Sequence, residues 1–67
     1  MARHYTITFK LSDDSVVVTE FDVTKKNESG YNIYVLNKIN EYMTAHPDLD
    51  IVSNSVIWSW LKILNKL

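Results

Sequence analysis

Asp13-Asp14, Asp48-Leu49-Asp50, His4 and His46 are the residues whose types and spacing could do chemistry. Adjacent carboxylates can divide acid and base roles or hold a cation. Asp13-Asp14, however, sits inside Ser12-Asp13-Asp14-Ser15, where short side chains that hydrogen-bond the local backbone make a turn and need no catalytic role. Asp48-Leu49-Asp50 resembles a fragment of a calcium loop but lacks the glycine and the distal glutamate such a loop uses. A zinc site at either histidine would have to draw its remaining ligands from carboxylates, because the chain has no cysteine. His46 has a simpler role at the end of a helix, where a cation meets the negative end of the macrodipole. No serine stands in a nucleophile elbow, and a single glycine cannot build a phosphate cradle or a dinucleotide fingerprint. The expectation is a protein that is not an enzyme and carries no cofactor or metal.

Binding chemistry has better candidates. On a helical wheel Trp58 falls beside Lys62 and Asn65, opposite Trp60 and the aliphatic residues, which leaves an indole on the surface. Exposed tryptophans are characteristic anchors of protein interfaces. Tyr34 also points away from the apolar stripe of its own helix, with Lys38 and Glu41 nearby. Trp58, Tyr34 and Lys62 are therefore the candidate partner-binding residues. Tyr34 and Trp58 would make one aromatic patch if the fold placed them on the same side.

The elements that must position these residues follow from periodicity. Tyr5-Thr-Ile-Thr-Phe-Lys-Leu11 alternates strictly, so Tyr5, Ile7, Phe9 and Leu11 share one strand face. After the turn, Val16 to Val23 is extended again, with Thr19, Phe21 and Val23 on one face. Pairing Ile7 with Phe21 and Tyr5 with Val23 keeps both apolar sets together in a hairpin. Thr24 to Gly30 has no large apolar residue and connects sheet to helix, with Ser29 as a candidate cap. From Tyr31 to His46 the residues Tyr31, Val35, Leu36, Ile39, Tyr42, Met43 and His46 fall on one side at helical spacing. Pro47 ends that helix.

Leu49, Ile51 and Val52 lie in a stretch that reads either as a third short strand or as an extended connection. Ser55 to about Lys66 reads as a terminal helix capped by Asn54 or Ser55, with Ile57, Trp60, Leu61, Leu64 and Leu67 in a stripe. Val-Ile-Trp-Ser-Trp is also β-prone, so a strand is the rival reading there. The predicted fold is a single α+β domain over residues 1-67, in which an antiparallel hairpin or three-stranded sheet is covered on one face by two helices in the order ββα(β)α.

Composition narrows the partners. A chain of 67 residues has room for one small core, and domains of this size bury roughly 60% of their unfolded surface. Seven Lys and Arg against eight Asp and Glu give a net charge of -1, and the basic residues form no stripe, which argues against a nucleic acid as partner. No secretory signal precedes the first strand and no run is long enough to span a bilayer, so a cytoplasmic protein without a membrane partner is expected. Asn, Lys, Ile and Tyr supply 22 residues while Gly, Ala, Arg and Pro supply five, a bias that an A+T-rich genome imposes. The expectation is a small open reading frame of a low-GC bacterium, or of a phage or mobile element in one.

The functional expectation is a small protein-binding module, a regulator or inhibitor of a larger partner of unknown identity. A single-stranded nucleic-acid-binding protein is the first alternative, with aromatics stacking on bases. A structural homo-oligomer, such as a homodimer pairing through the Val16-Val17-Val18 edge, is the second.

Overall fold

The computed structural model of the protein describes residues 2–61. The alternating segment is the strand β1 (Ala2–Leu11), with Arg3, Tyr5, Ile7 and Phe9 buried on one face and His4, Thr6 and Thr8 partly exposed on the other. It turns at Ser12-Asp13-Asp14 into β2 (Val16–Thr24). The turn is tight: Asp14 N–H donates to the Leu11 carbonyl at 3.0 Å, and Leu11 N–H donates to the Ser15 carbonyl at 2.9 Å. Asp14 takes a left-handed conformation at φ 71°, which short Asx side chains tolerate.

That geometry sets the register. Tyr5 pairs with Phe21, Ile7 with Thr19 and Arg3 with Val23, so the expected pairing of Ile7 with Phe21 and Tyr5 with Val23 is displaced by two residues. A displacement by two preserves the faces, so the apolar sets still coincide. The reason is the turn: closure between Leu11 and Ser15 admits only the three residues between them.

The connection leads into α1 (Glu28–Ala45), whose cap is Asn27 rather than Ser29. Asn27 is extended and its side-chain oxygen accepts from Gly30 N–H at 2.8 Å, as an N-cap does. Of the anticipated stripe, Tyr31 and Val35 are buried and Ile39 and Tyr42 pack beside them, while Leu36 and Met43 remain exposed. His46 caps the C-terminus next to Pro47, its ring 4.4 Å from that of Tyr42.

The largest departure from the expected fold lies at Ile51–Trp60, which is a ten-residue strand, β3. It pairs antiparallel with β1 and completes a three-stranded sheet of order β2-β1-β3. The expected helix from Ser55 is thus a strand as far as Trp60, and the remainder of that expectation falls outside the described residues. Two physical reasons favour the strand. β1 is buried on its core face, and its second edge carries backbone donors and acceptors that need partners. Residues 53 to 60 also alternate, with Ser53, Ser55, Ile57 and Ser59 on one face, Ile57 the one large apolar residue there, and Asn54, Val56, Trp58 and Trp60 on the other. A bulge interrupts the ladder where Lys10 pairs with Ser53 but Leu11 pairs with Ile51, leaving Val52 as the extra residue.

The core lies between one sheet face and α1. Tyr5, Ile7, Phe9 and Val23 of the sheet meet Tyr31 and Val35 of the helix, and the Phe9 and Tyr42 rings stack at 4.6 Å. Among the described residues no helix is long and apolar enough to cross a membrane.

Candidate functional site

One helix cannot cover three strands evenly. Tyr34 and Lys38 of α1 lean over β2, where the Tyr34 ring is 5.7 Å from Phe21 and Lys38 Nζ is 5.8 Å from that same ring. On the opposite flank, Leu36 is 60% exposed beside β3. Between that flank and β3 runs an open groove of about 410 Å³. Its walls are Tyr5, Val35, Leu36, Ile39, Val56 and Trp58, with Asn32 and Asn54 as its polar lining. An apolar trough with a few amides suits an apolar side chain flanked by polar backbone.

Trp58 and Trp60 occupy the same face of β3, with ring centroids 5.0 Å apart in an edge-to-face contact. They are 42% and 50% exposed. The sequence reading placed them on opposite sides of a helix; a strand, with its period of two, puts them side by side. Their inner edges rest on Arg3. The Arg3 guanidinium is 3.7 Å from the Trp58 ring centre, 4.0 Å from that of Tyr31 and 5.2 Å from that of Trp60. Its Nη1 donates to Tyr5 Oη at 2.9 Å, and its two Nη groups grip both carboxylate oxygens of Glu28 in the first turn of α1. The paired charges hold the Glu28 carboxyl below its ordinary range and raise the guanidinium further above its own, chiefly through the hydrogen bonds between them. A cation held between aromatic faces and a bidentate carboxylate fixes the ring planes of the exposed indoles.

The backbone of β3 completes the site. Leu61 N–H donates to the Ala2 carbonyl at 2.8 Å. By the alternation of an antiparallel ladder, Ser59, Ile57, Ser55 and Ser53 turn their N–H and C=O groups toward β1. Asn54, Val56, Trp58 and Trp60 therefore turn theirs outward, along the edge that no described strand pairs with. Asn54, Val56 and Trp58 also line the groove, and no residue of β3 carries a charge. The other such edge is different: β2 presents Glu20 and Asp22, the kind of charge that guards an edge against pairing.

On the open face of the sheet, His4 Nδ1 is 2.6 Å from Asp22 Oδ1 and its Nε2 is 2.8 Å from Glu20 Oε1. The two carboxylates raise its pKa above the ordinary 6.5, with the Asp22 hydrogen bond the larger cause. Asp13 Oδ1 accepts from Ser15 N–H at 3.0 Å and from its hydroxyl, which lowers the Asp13 pKa and engages this carboxylate in the turn. Among the described residues no cluster of His, Asp or Glu could hold a metal ion.

Of the three residues singled out from sequence, Trp58 stands in the groove, and Tyr34 stands across the helix over Phe21 and within 5.0 Å of Lys25 Nζ. The two do not form a common patch. Lys62 lies outside the described residues. Trp60, Val56 and Leu36 belong to the site and were assigned to the interior or left unremarked; the spaced serines of β3 were the signal that could have found them. No family model matches this chain, and no curated protein or solved structure matches it.

Proposed function

We propose that the protein is a non-enzymatic binding module that takes up an extended segment of a partner protein along the outer edge of β3. The observation that carries this reading is a coincidence of backbone and side chain: Asn54, Val56, Trp58 and Trp60 have outward N–H and C=O groups, while Asn54, Val56 and Trp58 also line the apolar groove beside α1. A strand added there would gain main-chain hydrogen bonds from the edge and would seat alternate side chains against Trp58, Val56 and Leu36, the mode called β-augmentation. Such a module suits a small regulator or inhibitor of a larger protein.

A single-stranded nucleic acid is the weaker reading. Lys38 lies with Tyr34 on the β2 side, Arg3 is already committed to Glu28, and although Lys25 and Lys26 share a hollow with Trp60, no cation lines the groove at Trp58. A base-stacking groove needs cations and aromatics along one path.

The test is amide hydrogen exchange on protein bound to a captured partner, beside a folded Trp58→Ala variant. Slowed exchange confined to Asn54, Val56, Trp58 and Trp60, with the partner lost by the variant, supports the reading. Protection on β2 or on the outer face of α1 would reject it.

A further inference from the structure

We infer that the strand received by β3 is β3 of a second copy of this chain, so that two molecules form one continuous six-stranded sheet. This rests on the reading of β3 as a strand-accepting edge and names its occupant. Charge is the first argument. In a twofold interface a residue on the axis meets its own kind and each residue off it meets the one equally far on the other side, so a charge at the axis would face a like charge and one elsewhere would face an uncharged residue. The segment Ile51–Trp60 contains none, whereas β2 sets Glu20 and Asp22 along its edge.

Register is the second argument. Antiparallel pairing about a twofold axis at Ile57 brings all four outward residues into play: Val56 faces Trp58 of the second copy, and Asn54 faces its Trp60. Ile57 then meets its own counterpart in a non-hydrogen-bonded pair, where side chains approach most closely. Ile57 is 67% exposed on a sheet face that no described helix or strand covers, and that contact would bury it. Because the axis stands perpendicular to the sheet, both α1 helices lie on the same side. The two grooves and their exposed Leu36 walls then face each other across the axis.

Area is the third. A fully covered tryptophan buries about 150–250 Å², so the half-exposed Trp58 and Trp60 alone offer on the order of 200 Å² per copy. Val56, Ile57 and Leu36 add to this, in the direction of the roughly 800 Å² per partner of a standard interface.

The experiment is sedimentation velocity at about 100 μM, above the micromolar dissociation constants of modest interfaces. It compares the wild type, Ile57→Lys, Ile57→Glu and an equimolar mixture of the two variants, each checked for folding by circular dichroism. Wild type should be a dimer. Either variant alone should be monomeric, its dissociation constant raised by about tenfold or more by like charges set directly opposite. The mixture should recover the dimer, because Lys then faces Glu. A monomeric wild type would overturn the second copy as occupant. Variants that stay dimeric alone, or a mixture that stays monomeric, would overturn the Ile57 register. A monomer whose β3 amides are nonetheless protected by a different captured protein would leave the strand-accepting edge standing without the dimer. Failure of both would remove the edge itself.

Discussion

The Arg3 guanidinium carbon lies over the Trp58 indole, 3.7 Å from the ring centre, joining the start of the central strand to the exposed edge strand 55 residues later in the chain. Tyr31 closes the other side of the guanidinium at 4.0 Å, and Glu28 binds its end, so a single side chain ties β1, β3 and the first turn of α1 together. Lysine would keep the charge but lose the planar stack and the two-pronged grip on Glu28. Arg3→Lys is therefore expected to lower the thermal midpoint by on the order of 10 °C and to shift tryptophan emission to the red. An unchanged midpoint with unchanged emission would mean that the stack contributes little to either the fold or the placement of Trp58.

Stability should pass through a maximum in mildly acidic solution. Both ring nitrogens of His4 meet carboxylates, an arrangement only the imidazolium can satisfy with two donors, and its pKa is raised by Asp22 first and Glu20 second. A group with a raised folded pKa contributes fully below its ordinary 6.5 and loses that contribution as pH climbs through the raised value. Glu28 and Asp13 behave in the opposite sense. Their pKa values are lowered by Arg3 and by Ser15, so their contributions are present above the ordinary 4.5 and 3.8 and fade as pH falls through the lowered values. Thermal melts from pH 3 to 9 should show the maximum between those limits. His4→Gln should flatten the alkaline side, a drop of only a few degrees since the triad is partly solvated; an alkaline limb as steep in His4→Gln as in the wild type would exclude His4 as its source.

The hairpin and the first helix were legible because their patterns are local. Alternation at Tyr5, Ile7 and Phe9 names its own face, and Tyr31, Val35, Ile39 and Tyr42 repeat at helical spacing. What could not be read locally was decided by partners distant in sequence. Ser55 to Trp60 has residues compatible with either period, and the unpaired edge of β1, some fifty residues earlier, selects the strand. The site suffered from the same ambiguity. On a helix Trp60 faces inward and Trp58 outward, whereas on a strand both stand beside the groove. Tyr34 was expected to point away from the core, whereas the lean of α1 toward β2 packs it, partly buried, over Phe21 at the side of the core.

Phe9 has no exposed surface and stacks on Tyr42 at 4.6 Å, so its ring is the center of contact between sheet and helix. Truncation of a buried phenylalanine to alanine costs about 3–5 kcal/mol. A domain of this length has roughly 3–10 kcal/mol of stability in all. Phe9→Ala is expected to be largely unfolded at 25 °C, with loss of near-ultraviolet dichroism. A cooperative melt within a few degrees of the wild type would show that the core can collapse around the gap.

Asp14 is the one described residue other than glycine at positive φ, and the hairpin register depends on the turn it closes. A left-handed conformation costs an L-residue roughly 1–2 kcal/mol, less for Asp, whereas glycine adopts it without a steric penalty. Its ion pair with Lys10, 3.5 Å long and at the surface, contributes little against that. Asp14→Gly should therefore raise stability by about 0.5–1 kcal/mol, and Asp14→Val should lower it by more, since a β-branched side chain fits this region worst. Urea titrations of the two variants and the wild type measure the order directly. If valine were tolerated as well as glycine, the turn would have to relax to another geometry. The Leu11 to Ser15 closure that fixes Tyr5 against Phe21 would then not be what sets the register.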